Sequence, residues 1–111
     1  MGRYAQARRR GSQGALVLPE IPVDFVDLEA VGAGSADAIW SLDVVPTHVV
    51  ISIIRDSDKV VIGGPFDAGP VQAGDHEFDG LPHPVTCHAL FIFKANGFAD
   101  TPRESNSAAI P

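Results

Sequence analysis

Apolar and polar residues alternate in short runs along most of this chain, the spacing that sends neighbouring side chains to opposite faces of a β-strand. Glycine and proline fall mostly between these runs, at intervals of about 8–12 residues. The clearest alternation covers residues 38–45 and puts four apolar side chains on one face: Ala38, Trp40, Leu42 and Val44. The pattern predicts an all-β fold, an Ig-like β-sandwich of about seven short strands without a helix.

Several segments indicate how the predicted core is built. Residues 85–95 are the longest predicted strand, and one of its faces is wholly apolar: Val85, Cys87, Ala89, Phe91 and Phe93. Residues 48–55 are almost continuously apolar and β-branched, which is typical of a central strand covered on both faces. Shorter strands are expected over residues 15–18 and 75–79. A further strand is expected over residues 23–31, where the apolar phase changes near Phe25 and predicts a bulge.

Turn-forming residues predict the connections that follow the central strand (residues 48–55). Residues 56–58 form a predicted tight turn, from which residues 60–62 return as a hairpin partner of the central strand. Two stretches rich in glycine and proline, residues 63–65 and 68–73, are expected to be loops that flank Phe66.

The charge of the chain is divided unevenly, although its net value is only −6. Residues 1–11 hold four basic residues and no acid, whereas residues 12–111 hold the other four and all 14 acids. The sequence therefore predicts three parts: a basic N-terminal arm (residues 1–14), a β-sandwich (residues 15–98) and an extended C-terminal tail (residues 99–111). The acidic balance argues against a globally basic nucleic-acid binder.

Neither a membrane span nor a secretory leader is predicted. No apolar run approaches the length of about 18 residues that a membrane helix needs. The apolar stretch after the arginines stops at Pro19 and Glu20, and no small-residue cleavage site follows, so no signal peptide is expected. We expect synthesis in a cytoplasm. A single cysteine, Cys87, excludes an intramolecular disulfide framework and is compatible with a reducing compartment.

Candidate metal ligands fall into two groups. His76, His83, Cys87 and His88 lie close together in the sequence, but Cys87 and His88 point to opposite faces of one strand and cannot share an ion. We expect Cys87 to be a small buried side chain. Five acids are weaker candidates for calcium: Asp56, Asp58, Asp75, Glu77 and Asp79. A solvated outer face explains the strand acids equally well, so no metal and no cofactor are expected.

The second half of the chain resembles the Ig-like domain of flagellar hook-capping proteins. The likeness covers residues 40–95 and rests on VVISIIRDSDKVV (residues 49–61), AGDHEFDG (residues 73–80) and the long apolar strand that follows. The family's tryptophan before Asp-Gly and one spacer residue are missing here. Pro84, Val85 and Thr86 replace the glycine-tyrosine start of its last strand. The resemblance implies an Ig-like sandwich that serves as a scaffold or cap and has no catalytic residues.

The basic arm holds the candidate contact residues: Arg3, Tyr4, Arg8, Arg9 and Arg10. Three alternatives stay open for it. The arginines could touch phosphates, they could pair with an acidic surface on a neighbouring subunit, or the segment could be a plain flexible tail.

We predict a structural subunit of a large assembly and not an enzyme, because the signatures of serine hydrolases, P-loops and dinucleotide sites are absent. The general plan, a compact sandwich with polar segments at both ends, is similar to that of small bacteriophage virion proteins. A capsid decoration, minor capsid or head–tail component located in the virion is therefore expected, with capsid or tail proteins as partners and the arm as a clamp. The alternative is a ligand- or carbohydrate-binding Ig-like adhesion module. Its best candidate contact is Trp40, although the alternation places that residue inside.

Overall fold

Two antiparallel β-sheets face each other in the computed structural model, which describes residues 17–111. The three-stranded sheet has the order β1-β2-β5 and consists of β1 (Val23–Gly32), β2 (Ser35–Leu42) and β5 (Ala73–Phe78). The five-stranded sheet has the order β4-β3-β6-β7 and contains β3 (His48–Arg55), β4 (Val61–Asp67), β6 (Val85–Lys94) and β7 (Thr101–Glu104). Its fifth strand, β8 (Ala108–Ile110), pairs with β6 beyond the end of β7. Residues 17–111 contain no helix, hence none that is long and apolar enough to cross a membrane.

The order of the strands is that of an immunoglobulin-like sandwich. The chain changes sheet after β2, again after β4 and again after β5. The two sheets therefore correspond to strands A-B-E and C′-C-F-G of that fold. The predicted all-β fold class is confirmed, with eight strands in place of about seven.

The core lies between the inward faces of the two sheets. Trp40 of β2 is 2% exposed, and its ring lies 6.1 Å from that of Phe91 on β6, measured between centroids. Phe93 stacks on Phe91 at a centroid distance of 5.6 Å. Burial of each large apolar side chain contributes about 1.5–3 kcal/mol. The predicted inward faces of these two strands are confirmed, although the first strand ends at Leu42.

β3 is central in its sheet, but residues 17–111 cover only one of its faces. It pairs with β4 on one side and β6 on the other, and its inward residues Val49, Ile51 and Ile53 are fully buried. The alternate residues, Val50 among them, are half-buried because none of the described strands lies over the outward face. The continuous apolar run reflects the β-branched preference of a strand, so the expectation of double coverage was wrong.

The glycine-rich stretch expected to be a loop is part of β4. Residues 63–67 continue the pairing with β3, and two register shifts accommodate them. Gly64 has φ +79°, and a Cβ at this position would lie 2.5 Å from the backbone oxygen of Ile51. Only glycine tolerates this approach of two strands, so glycine here marks an irregular strand.

The C-terminal residues are not a separate tail. Residues 101–104 and 108–110 pair with β6 as β7 and β8, and the side chains of Thr101 and Ile110 are buried. The expected boundary at residue 98 is therefore wrong, because the tail supplies the edge of the five-stranded sheet and part of the core. Short strands bounded by proline and polar residues gave little apolar pattern to predict this.

At the other end, Val17 and Leu18 have no strand structure, and Val17 is 83% exposed. The strand predicted over residues 15–18 is therefore wrong for these two residues. The rest of that segment and the arm of residues 1–14 lie outside the described residues.

The link between β7 and β8 joins the two sheets. The hydroxyl of Ser105 accepts a hydrogen bond from the Ala89 amide at 2.8 Å, and the backbone amide of Ser105 donates to the Ala89 carbonyl at 2.9 Å. The side-chain amide of Asn106 donates to the Leu28 carbonyl at 2.9 Å and accepts from the Leu28 amide at 3.2 Å. Asn106 thus satisfies backbone groups at the edge of β1, which belongs to the opposite sheet.

Candidate functional site

The outward face of the three-stranded sheet gathers six carboxylates. Directly paired residues share a face of a sheet, so Asp27 of β1, Ile39 of β2 and Asp75 of β5 form one row. The next row is acidic on all three strands: Glu29, Asp37 and Glu77. Asp79, just after β5, accepts a hydrogen bond of 2.8 Å from the hydroxyl of Ser35. We call the surface formed by these six acids the acidic face: Asp27, Glu29, Asp37, Asp75, Glu77 and Asp79.

An open groove of about 630 Å³ crosses this surface. Its apolar lining includes Phe25, which is 47% exposed, and the half-buried Ile39, while Asp37 and Asp75 supply charge. Phe25 faces outward because the register shifts between Val23 and Phe25, which confirms the bulge predicted from the change of phase. The groove therefore combines an accessible aromatic ring with carboxylates.

The acidic face has no basic partner in its own sheet, since β1, β2 and β5 contain no lysine or arginine. The basic residues of the described chain belong to the five-stranded sheet or to the turn between β3 and β4: Arg55, Lys59, Lys94 and Arg103. Three of them already form ion pairs: Arg55 with Asp58, Lys94 with Asp100, and Arg103 with Glu20. The negative charge of the acidic face is therefore uncompensated within residues 17–111.

This crowding changes the proton affinity of the carboxyls. Burial, followed by a hydrogen bond with Asp75 and repulsion from it, raises the pKa of Asp37 to about 6. Within residues 17–111, Oδ1 of Asp37 is buried and has no hydrogen-bond partner. The hydrogen bond with Asp79 raises the pKa of Glu77, and the same bond, followed by the one from Ser35, lowers the pKa of Asp79. Fully ionised, this face is a strained arrangement of like charges.

The five calcium candidates do not form one site. Asp75, Glu77 and Asp79 lie on the outward face of the three-stranded sheet, where Glu77 and Asp79 share a hydrogen bond. Asp56 and Asp58 lie at the turn after β3, where His88 and Arg55 engage them. Among residues 17–111, no group of three or more histidine, cysteine or acidic side chains is arranged to hold a metal ion.

A second polar cluster has a structural geometry. Asp56 accepts hydrogen bonds of 2.6 Å from a ring nitrogen of His88 and 2.6 Å from the hydroxyl of Ser107. These two bonds, that of His88 first, lower the pKa of Asp56. Because the carboxylate lies between the other two groups, the hydroxyl is not bonded to the imidazole, as an activated serine nucleophile would be. The cluster fastens the β3–β4 turn to the end of the sheet.

The remaining candidate ligands are also placed apart. Cys87 is fully buried, as predicted, and burial raises the pKa of its thiol. The ring of His76 stacks on Phe66 of the other sheet at a centroid distance of 3.6 Å. His83 bonds to the carbonyl of Leu81 at 3.0 Å. Each of these histidines therefore serves packing or loop structure.

The acidic face as a unit was not predicted from the sequence. Three of its acids were placed on one strand, but only the pairing of the strands joins them to Asp27, Glu29 and Asp37. The available signal was the absence of lysine and arginine from three predicted strands. The five arm residues predicted to contact a partner lie outside the described residues: Arg3, Tyr4, Arg8, Arg9 and Arg10.

No protein-family model matches this chain, and neither curated proteins nor solved structures give a significant match to it. The resemblance to hook-capping proteins therefore stays a prediction.

Proposed function

We propose that this chain is a non-catalytic structural subunit of a larger protein assembly. A bacteriophage virion is the preferred case, with capsid or tail proteins as partners and a capsid decoration, minor capsid or head–tail role. The observation that carries the proposal is the acidic face. It is a broad, open surface on one side of the sandwich, and no lysine or arginine of the same sheet balances its negative charge.

The other polar side chains support a structural role. Asp56, His88 and Ser107 bond to one another, and Asn106 satisfies backbone groups of the opposite sheet. The groove on the acidic face is open, in contrast to the enclosed pockets that small substrates usually occupy. An exposed apolar surface rimmed by charge fits a protein partner.

The test is the state of the chain in its native source. Gradient fractionation of a native extract should place the chain in particles far heavier than its own 11.7 kDa, with capsid or tail proteins cross-linked to it. Removal of residues 1–14 should leave the circular dichroism of the sandwich unchanged and abolish incorporation. A full-length chain found only as free protein would contradict the assembly role. Normal incorporation of the shortened chain would contradict the clamping role of the arm.

A carbohydrate-binding module is the second candidate, and one feature favours it. Sugar sites combine an exposed aromatic ring with carboxylates, and the groove offers Phe25 beside Asp37 and Asp75. Trp40, the best candidate contact from the sequence, is buried, and its indole nitrogen donates to the Val71 carbonyl at 2.9 Å. Calorimetric titration with oligosaccharides distinguishes the candidates, since binding that is lost in Phe25→Ala would support a sugar site.

A further inference from the structure

We propose that the acidic face is the receptor for residues 3–10 of the basic arm of a second copy of this chain. The proposal deepens the assembly role proposed above and rests on it. Three features of the described residues carry it: charge, the shape of the groove, and the direction in which the chain leaves the sandwich.

The charges of the two segments are complementary. The acidic face holds six carboxylates on three strands, and no lysine or arginine of residues 17–111 lies in that sheet. The arm holds four arginines and no acid: Arg3, Arg8, Arg9 and Arg10. Arginine suits this role because its planar guanidinium donates two parallel hydrogen bonds to one carboxylate.

The spacing of the acids also suits a short run of arginines. Glu29, Asp37 and Glu77 lie opposite one another on three adjacent strands, so the row advances by about 4.8 Å from strand to strand. An extended chain advances by about 3.3 Å per residue, and the long arginine side chains span the difference. On an extended chain Arg8 and Arg10 point to one side and Arg9 to the other, so Arg8 and Arg10 can contact this row.

The groove provides a place for an aromatic anchor. Phe25 and Ile39 form its apolar lining, and Asp37 and Asp75 border them. The arm contains the only tyrosine of the chain, Tyr4, four residues before the first of the three consecutive arginines. A tyrosine ring packs on an exposed phenylalanine while its hydroxyl donates to a carboxylate, which is the amphipathic contact that interfaces favour.

The direction of the chain favours a second copy over the same copy. Glu20 forms a parallel bridge with Ala99, and the Ala99 amide donates to the Pro19 carbonyl at 2.9 Å. The residues after Ala99 enter β7, so the chain followed backwards from Ile21 to Val17 runs off the end of the five-stranded sheet. To reach its own acidic face the arm would have to reverse and pass around β1, whereas a neighbouring copy can receive it without reversal.

The experiment measures self-association of the full chain by sedimentation equilibrium. We expect the average mass to rise with protein concentration at about 50 mM salt and to fall back at about 500 mM salt, where the Debye length is much shorter. Neutralising the arm (Arg8→Gln, Arg9→Gln, Arg10→Gln) should weaken association by about tenfold or more. Neutralising the face (Glu29→Gln, Asp75→Asn, Glu77→Gln) should do the same.

A matched control removes three exposed acids from outside this surface: Asp43→Asn, Asp100→Asn and Glu104→Gln. It makes the same change in net charge, so association should stay as in the unaltered chain. Near-ultraviolet circular dichroism from the buried Trp40 checks that every variant is folded. If the control variant weakened self-association equally, the effect would depend on net charge alone, and the proposal would be overturned.

Mixing the variants tests the exchange between copies. The arm variant keeps an intact face and the face variant an intact arm, so a mixture should form a complex that neither variant forms alone. A chain that is monomeric at every concentration and salt level, or a mixture that does not associate, would overturn the proposal. If the monomeric chain still enters heavy particles in the native extract, the assembly role stands and this inference alone fails.

Discussion

The two sheets differ in whether the charged side chains on their outward faces have partners of opposite charge. On the five-stranded sheet, Arg55, Lys94 and Arg103 each have an acidic partner within 3.0 Å. On the three-stranded sheet, six carboxylates share one face without a lysine or arginine, and burial together with the neighbouring Asp75 raises the pKa of Asp37 to about 6. Both sheets contribute buried side chains to one core. The difference is consistent with the proposal that the acidic face receives a basic partner, whereas the ion pairs of the other sheet are satisfied within the domain.

The largest effect should come from the core that both sheets share. Trp40→Ala removes the contact with Phe91 and the hydrogen bond to the Val71 carbonyl, so we expect the free energy of unfolding to fall by about 3–5 kcal/mol. Urea unfolding followed by far-ultraviolet circular dichroism measures it. Trp40→Phe keeps most of the packing and should lose less. Equal stability of Trp40→Ala and the unaltered chain would contradict the shared core.

The next effect tests the bonded polar groups of the five-stranded sheet. Asp56→Ala leaves His88, whose side chain is 11% exposed, and Ser107 without their acceptor. We expect a loss of about 1–3 kcal/mol at pH 7. Because the folded-state pKa of Asp56 is lowered, its stabilising contribution is present above pH 3.8 and is lost as the pH falls through the lower folded value. Asp58→Ala, which breaks an exposed ion pair with Arg55 and an exposed hydrogen bond from the Val60 amide, is the control and should cost less; a larger loss there would reverse this ranking.

Removal of a carboxylate from the acidic face should instead stabilise the domain. The folded-state pKa of Asp37 is raised from 3.8 to about 6, so the folded chain holds a proton in that window that the unfolded chain has lost. Asp37 therefore lowers stability progressively as the pH rises from about 4 to about 6. Asp37→Asn should increase the free energy of unfolding at pH 7 by about 1–2 kcal/mol, after solvent screening is allowed for, and flatten this decline. Unfolding in urea at pH 4, 5, 6 and 7 measures this dependence. A variant less stable than the unaltered chain at pH 7 would show that ionised Asp37 does not destabilise the domain.

The smallest effects give the most direct comparison of the two faces. Glu77→Gln removes a charge that is repelled by Asp75 and Asp79, so it should stabilise the domain slightly at pH 7. Asp100→Asn removes the partner of Lys94 on the other sheet and should destabilise it slightly. Parallel thermal unfolding at low salt compares the signs, and both differences should shrink in high salt. Effects of the same sign would remove the distinction between the faces.

Much of the sandwich could be predicted from the sequence because its strongest signal is local. The alternation around Trp40 and along β6 decides which side chains face inward, whatever the neighbouring strands are. The bulge at Phe25 was visible for the same reason. Irregular edges were not predictable in this way, since β4 depends on a close approach at Gly64 and β7 and β8 depend on pairing with a distant strand.

The candidate site was harder to predict because it depends on strand order. Asp75 and Glu77 could be assigned to one face of their own strand, but Glu29 and Asp37 join them only through the register of β1, β2 and β5. In the sequence, Glu29 and Asp37 lie 38 to 48 positions before Asp75 and Glu77. Alternation gives the face of each acid within its strand, and only the pairing of the strands brings the acids together.

The position of Ile110 in the core has a consequence for the order of synthesis. This residue is 1% exposed and belongs to β8, the last strand to be made among those that pair with β6. Synthesis runs from the N-terminus, so the strands made before β8 keep part of their apolar surface uncovered until Ile110 leaves the ribosome. Among the described strands, the pairing of β8 is therefore the step that completes the core during synthesis.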